Sequence, residues 1–289
     1  MNSKIALGTV QFGSHYGINN QHGRVIKQEA SEIIKYAQKC GVDTLDTAIA
    51  YGDSEQYLGE IGVQYWKVIS KLPKIPESVD DISTWIQQTV SESLKRIGVP
   101  KLYGLLLHYP EQLLGEQGRE IYESLESIKQ SGWTEKIGIS IYSHKELDIL
   151  LERYTFELVQ APCNIFDRNL IQSGWLDILQ KMGVEVHIRS VFLQGLLLME
   201  AQDRPEKFKR WQPLWHKWDE WLGQINLTPL EACLNYALSL QSVAKIIIGV
   251  DSVDQFKEIL QTKKLNLEIP DFLVSNEVDL INPSNWKNL

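Results

Sequence analysis

Residues 102–140 read LYGLLLHYPEQLLGEQGREIYESLESIKQSGWTEKIGIS. Leu102–Leu107 is a short apolar run of strand length, continuous enough to be covered on both faces. Arg119–Gln130 carries its apolar residues at helical spacing. Gly132 stands where a helix C-cap belongs, just ahead of a second apolar run, Lys136–Ser140. Strand, helix and strand in this order make a βα unit whose two strands lie parallel.

The same rhythm extends in both directions. Further strands are expected at Ile5–Gly8, Thr44–Asp46, Lys67–Ser70, Leu158–Ala161, Val184–Ile188 and Ala244–Ile248. Helices are expected at Glu29–Lys39, Ser54–Glu60, Val79–Ile97, His144–Arg153, Ile171–Met182, Pro229–Leu240 and Val253–Gln261, with Gly41 and Gly183 at two more C-caps. Eight units between Lys4 and Gln261 average roughly 32 residues each, close to the ~250 residues of a (β/α)8 TIM barrel. A doubly wound sheet competes, but eight regular units without a break favour the barrel. No Pro/Gly/Ser-rich linker divides the chain, so residues 1–289 read as one α/β domain, with a tail, 263–289, packing outside the barrel or over its mouth. Two irregular segments, 11–28 and 193–228, follow the first and seventh strands. Loops there lie at the C-terminal face, where barrel active sites are built.

Composition narrows the function classes. Of 289 residues, 43% are hydrophobic and 23% charged, a globular mixture. A formal net charge of -8 gives no general attraction to nucleic acid or anionic membrane. The three cysteines, Cys40, Cys163 and Cys233, form no CxxC pair and suit a reducing compartment. MNSKIALGTVQFG enters a strand directly, with no signal-type apolar region, and no apolar run is long enough to span a bilayer. A cytoplasmic protein is expected. Neither HxH nor HExxH occurs, which argues against a metal hydrolase, and no GxGxxG fingerprint is present.

Four polar residues fall at or just beyond the ends of the second, third and fourth strands: Asp46 and Tyr51 in LDTAIAYGDSE, Lys71 in VISKLP and His108 in LLLHYP. All should face one mouth. A carboxylate, a phenol, an ammonium and an imidazole form a proton-handling set. Asp46 can pair with Lys71 and keep it charged. An ammonium beside Tyr51 is expected to lower the phenol's pKa. Singly, each residue has an ordinary structural alternative; as a set at successive strand ends they favour a functional reading.

At these residues the chain resembles the aldo-keto reductase family. Gly8-Thr9, Asp46-Thr47-Ala48, Tyr51-Gly52, Ser54-Glu55, Leu58-Gly59, Lys71 and His108 follow its pattern in order. The resemblance implies a catalytic tetrad of Asp46, Tyr51, Lys71 and His108, with Tyr51 as proton donor. It implies hydride transfer between a nicotinamide cofactor and a small-molecule carbonyl or alcohol, without a metal. A sugar-derived carbonyl is the preferred substrate.

The cofactor positions implied by the same resemblance begin with Gly8 and Thr9. GISIY keeps Ser140 but places Ile141 where the family has Asn. Gln160 is expected on the nicotinamide carboxamide, or else satisfying groups inside the barrel. Asn164 is a weaker candidate on the substrate side. Arg189 stands where an aromatic residue often stacks on the nicotinamide, and a planar guanidinium can also stack. Ser190, Gln194 and Gly195 resemble the pyrophosphate loop. Gly249, Asp251, Gln255 and Glu258 resemble the adenosine segment. Family precedent puts NADP(H) first and NAD(H) second, although no Arg or Lys occupies the matching positions and Lys257 can point to solvent.

Trp211, Trp215, Trp218 and Trp221 repeat at helical spacing and are expected to pack a helix on the barrel. Phe12, His15 and Tyr16 are candidate walls of the substrate pocket. The main alternative to an enzyme is a cofactor-binding regulatory subunit or redox sensor with little turnover. A barrel enzyme with other proton chemistry, such as an isomerase, is a third.

Overall fold

Eight parallel strands pair in chain order and close on themselves in the computed structural model, which describes residues 4–289. They are β1 (Ile5–Gly8), β2 (Thr44–Asp46), β3 (Lys67–Leu72), β4 (Leu102–Leu107), β5 (Thr134–Ser140), β6 (Leu158–Pro162), β7 (Glu185–Arg189) and β8 (Lys245–Gly249). The closing seam pairs Ile5 with Ile246 and Gly8 with Gly249. The fold is the expected (β/α)8 barrel.

A helix follows each strand: α1 (Lys27–Lys39), α2 (Ser54–Ile61), α3 (Ile82–Ile97), α4 (Gly118–Gln130), α5 (Lys145–Leu150), α6 (Trp175–Lys181), α7 (Pro229–Ser239) and α8 (Val253–Gln261). Local chemistry sets their ends. The Asp81 side chain accepts from Thr84 N at 2.9 Å to start α3, and Gly98, with φ 73, ends it. Thr228 and Glu231 form a reciprocal capping box around Pro229 at the start of α7. Three expected helices are shorter by more than one residue; Val79–Ile97 begins only at Ile82, behind the Asp81 cap. Ile171–Met182 is broken into Asn169–Gln172 and α6 because Gly174 adopts φ 80 between them. His144–Arg153 contracts to Lys145–Leu150.

The main core lies between the barrel wall and the helices. Inside the bore a small separate cluster, Ile69, Leu106 and Leu158, packs on Tyr103. Beneath it the Tyr103 hydroxyl donates to Glu185 Oε2 at 2.7 Å, Lys136 ion-pairs with the same carboxylate, and His187 Nε2 lies 2.6 Å from Glu185 Oε1. Burial opposes ionisation of Glu185, but bonds from His187, Lys136 and Tyr103 hold its carboxyl well below the usual range. The lower bore is thus filled by an apolar layer over a paired polar one.

All four tryptophans of the stripe are buried. Trp215 and Trp218 pack on Phe166 at 5.2 and 5.7 Å between ring centroids, so this face of helix Gln212–Ile225 docks on the barrel as expected. The tail runs along the rim: Arg168 donates to Pro270 O at 2.8 Å, Ser275 N to Phe166 O at 2.9 Å, and Lys207 to Trp286 O at 2.7 Å. No helix among the described residues is long and apolar enough to cross a membrane.

Candidate active site

Asp46 ends β2, Lys71 lies in β3, His108 follows β4, and Tyr51 sits in the turn between β2 and α2. Parallel strands of one barrel carry these positions to the same mouth. Lys71 Nζ donates to Asp46 Oδ2 at 2.6 Å and to Thr47 O at 2.8 Å. Gln160 Nε2 donates to Asp46 Oδ1 at 2.7 Å, so both carboxylate oxygens are engaged. The Lys71 ammonium lies 5.1 Å from the Tyr51 ring centroid, and the His108 ring meets that ring edge-on at 5.8 Å. The four expected residues come together, with Gln160 as a fifth member.

Backbone contacts fix the Tyr51 turn. Gly13 packs so closely that a Cβ there would lie 1.6 Å from Tyr51 O, and one on Gly52 would lie 2.4 Å from Gly13 O. Buried hydroxyls join the adjoining segments: Ser54 Oγ lies 2.8 Å from Thr9 Oγ1 and 3.0 Å from Thr47 Oγ1, while Thr9 Oγ1 donates to Asp46 O at 3.0 Å.

The electrostatics differ from the expectation in one respect. Burial, then the Asp46 carboxylate, raises the proton affinity of Tyr51; Arg189 is the cation that opposes them. The expected lowering by Lys71 does not prevail, because the Lys71 charge is already matched by Asp46 at 2.6 Å. Burial also lowers the Lys71 pKa, against the pull of Asp46. His108 is pushed down to about 3, by burial first and then by Lys71 and Arg189, so its imidazole is neutral at physiological pH. Its Nδ1 is buried without a partner.

A cavity of about 460 Å³ runs from Asp46, Tyr51 and Gln160, past Arg189 and Ser190, to Asp251, Gln255 and Glu258. Gly8, Thr9, Gln194, Gly195 and Gly249 also line it. Ser140 does not: it is buried and donates to Gln160 Oε1 at 3.5 Å. Arg189 is not a free plate, since Nη2 donates to Ile141 O at 2.9 Å and the guanidinium lies 4.6 Å from the Tyr142 ring centroid. Asn164 is buried, accepting from Phe166 N and Asp167 N and donating to Ser190 O, which makes it a loop brace rather than a substrate contact. Phe12 belongs to the core and His15 is exposed; of that trio Tyr16 alone lines the cavity. Lys257 pairs with Asp254 at 2.8 Å and is not among the lining residues.

The first loop supplies residues that spacing does not reveal. Gln11, Gly17, Asn19 and Asn20 line the cavity. Gln11 Oε1 is buried without a partner, an acceptor aimed at the space beside Gly249. Asn20 Nδ2 reaches Tyr16 O, Gly23 O and Asp251 Oδ1, at 3.1, 3.0 and 3.1 Å. Ile18 N donates to Gln194 O at 2.9 Å, and Gln194 Nε2 to the Tyr16 hydroxyl at 3.1 Å. The loop therefore straps across the segment after β7. There Ser190, Leu193 and Gln194 hold φ of 60, 48 and 53, a left-handed backbone that such side chains adopt only when surroundings impose it. Among the described residues no three His, Cys, Asp or Glu side chains are grouped to hold a metal.

Residues 4–278 match the Aldo/keto reductase family. The chain belongs to the aldo-keto reductase family. An uncharacterised oxidoreductase of Bacillus subtilis, YqkF, is 24% identical over 90% of this aldo-keto reductase and 86% of its own length. The NADH-specific methylglyoxal reductase of Escherichia coli is 23% identical, with 96% and 94% covered. An aldo-keto reductase of Bacillus halodurans, solved in its holo form, superposes with a TM-score of 0.74 at 21% identity, over 95% and 94% of the two chains, which shows the shared fold. Aldo-keto reductases are nicotinamide-dependent oxidoreductases acting on small-molecule carbonyls. The walls of this one fit such a group: an unpartnered amide oxygen at Gln11, close backbone at Gly249, and a strained loop with glycine at its tip all lie along one cavity.

Proposed function

We propose that this aldo-keto reductase reduces an aldehyde or ketone, with Tyr51 as the proton donor and Asp46, Lys71 and His108 as its partners. The observation that carries this reading is the convergence of those four side chains at one mouth, with Lys71 locked on Asp46 and facing the Tyr51 ring. When bound, the nicotinamide supplies the hydride that a carbonyl carbon accepts, or takes it back in the reverse direction.

The chain's own residues manage the proton. Tyr51 keeps its hydroxyl protonated because burial disfavours the phenolate. It is therefore in the donor form at neutral pH. As charge develops on a substrate oxygen, the Tyr51 proton moves to it, and the Arg189 cation favours the phenolate left behind. His108, neutral, can donate one ring N–H to the same oxygen and hold it toward Tyr51. Asp46 keeps Lys71 in place, and Gln160 keeps Asp46 in place. Gln11, Gln194, Gly195 and Gly249 would hold the dinucleotide along the cavity, with Gln160, backed by Ser140, at its nicotinamide end.

For the adenosine end we infer a better match to NADH than to NADPH, against family precedent. Asp251, Glu258 and Glu200 line the cavity, and Arg189, at the mouth, is the one basic residue among its lining. Carboxylates repel a 2'-phosphate and accept a bond from a free 2'-hydroxyl. The E. coli relative's NADH specificity agrees with this inference.

The test is turnover of a panel of aldehydes and ketones, sugar-derived ones included, followed by nicotinamide absorbance. Stoichiometric cofactor oxidation supports the reductase. Cofactor binding without turnover of any carbonyl would indicate a binding regulator, and substrate conversion without a change in nicotinamide would indicate an isomerase.

A further inference from the structure

Around Tyr51 the charges balance except at one residue. Lys71 is matched by Asp46 at 2.6 Å. His108 is neutral. Arg189 lies at the C-terminal end of β7 and lines the same cavity as Asp46, Tyr51 and Gln160. It has no carboxylate within 4.0 Å among the described residues, whereas Lys71, Arg96, Arg168 and Arg204 each have at least one. An arginine at a partly buried site ordinarily acquires an anionic partner, because guanidinium and carboxylate match in geometry and charge.

The guanidinium is also held in place before any ligand arrives. One nitrogen donates to Ile141 O at 2.9 Å, another to Ser190 Oγ at 3.3 Å, and its face rests on Tyr142 at 4.6 Å from the centroid. Those bonds use two of five N–H groups. Two carboxyl groups feel its charge, but both are engaged by backbone. Asp167 Oδ1 accepts from Asn169 N at 3.2 Å, and Glu146 Oε1 accepts from Tyr142 N and Ser143 N at 2.8 Å each. Arg189 acts electrostatically on Tyr51, Lys71 and His108 together, so it sits beside the place where those three would meet a substrate oxygen.

We propose that Arg189 is a specificity-determining anion anchor, and that the substrate of this enzyme is a carbonyl compound that also carries a carboxylate. The proposal rests on the reductase reading above and deepens it. A carboxylate on Arg189 neutralises the uncompensated charge and orients the carbonyl toward Tyr51 and His108. Charge-assisted bonds at a preorganised cation give more discrimination than a solvated surface arginine, because the fixed side chain loses little freedom on binding.

A dinucleotide phosphate is the other anion that could occupy the same cation, and the experiment separates the two. The probes are 3-carboxybenzaldehyde and its methyl ester, each assayed for kcat/KM with wild type, Arg189→Gln and Arg189→Lys, alongside the NADH Kd of each protein. The expected result is an acid-to-ester preference of about 10-fold or more in wild type. It should collapse toward unity in Arg189→Gln and be partly kept in Arg189→Lys, carried by KM rather than by NADH affinity. The ratio cancels any general loss of turnover in the variants. An unchanged ratio in Arg189→Gln, or a loss shared by acid and ester that tracks a weakened NADH Kd, would overturn the proposal and assign the anchor to the cofactor. If neither aldehyde is reduced, the reductase reading is decided by the carbonyl panel above and not by these two probes. The anchor is then read from benzoate binding by calorimetry with NADH present. Binding weakened 10-fold or more in Arg189→Gln supports it, and no binding to wild type, or equal binding to both, overturns it.

Discussion

Gly13 and Tyr51 touch backbone to backbone: a Cβ on Gly13 would lie 1.6 Å from the Tyr51 carbonyl oxygen. A residue in the loop after β1 therefore sets the height of the phenol that follows β2. The contact leaves no room for any other side chain, and the atoms it meets are backbone, which cannot swing aside as a side-chain tip would.

Gly13→Ala is accordingly expected to displace the Tyr51 turn. Turnover should fall by at least about 10-fold, with a stability loss of about 1–3 kcal/mol from overpacking. Steady-state kinetics and denaturant unfolding of the variant check both numbers. Full activity at wild-type stability would show that the turn adjusts freely.

Gln160→Ala tests the brace on Asp46. Removing the amide leaves Asp46 Oδ1 buried without its donor, so a loss of about 1–3 kcal/mol in unfolding free energy is expected. NADH affinity should weaken as well if the amide also reaches the carboxamide. Calorimetric Kd measured beside the melting curve separates the two roles.

The cofactor end is tested by Asp251→Arg. Asp251 holds Asn20 at 3.1 Å in the strap, so the wild-type carboxylate is fixed at the cavity wall. Arginine in its place should tighten NADPH relative to NADH by about 1–3 kcal/mol if the guanidinium reaches the 2'-phosphate. Fluorescence titration of both cofactors against both proteins measures that shift. Wild-type preference for NADPH by orders of magnitude would remove Asp251 from the ribose.

Stability should also respond to pH through Asp167. Burial raises its folded pKa to about 6, against bonds from Asn169 and the charge of Arg189 that pull the other way. A carboxyl whose folded pKa exceeds its unfolded value of 3.8 binds its proton more tightly when folded. Its contribution therefore favours the folded state at low pH and declines as pH rises from about 4 through 6. Asp167→Asn keeps an acceptor for Asn169 and removes that decline. The variant should gain stability relative to wild type between pH 5 and 7, by up to about 3 kcal/mol. Unfolding curves across that range decide it; a constant difference between the two proteins would show that Asp167 does not titrate there.

The barrel was readable from the chain because parallel strands covered on both faces are continuous apolar runs; β1, β2 and β4 have the bounds that apolar content and breakers predict. The strand-end residues Asp46, Lys71 and His108 were readable for the same reason, as polar interruptions at a fixed place in each unit. Gln11, Asn19 and Asn20 were not, since polar residues in an irregular loop have no period and their place against Gln194 and Asp251 depends on tertiary contacts. Spacing also gave the wrong sign for Tyr51: it revealed the nearby ammonium and its Asp46 partner but not the depth of burial, which together with the Asp46 carboxylate outweighs the ammonium. The break at Gly174 is the converse case, an apolar pattern that continues through a residue whose backbone does not.

The central claim, that Tyr51 hands its proton to a substrate oxygen, is tested most directly by single-turnover reduction with NADH-loaded Tyr51→Phe. Phenylalanine keeps the ring packed against His108 and the Lys71 ammonium but has no proton to give. The account predicts NADH affinity and melting temperature close to wild type, with the hydride-transfer rate reduced by about 100- to 10,000-fold. A variant that binds NADH normally and reduces the same carbonyl at the wild-type rate would contradict it.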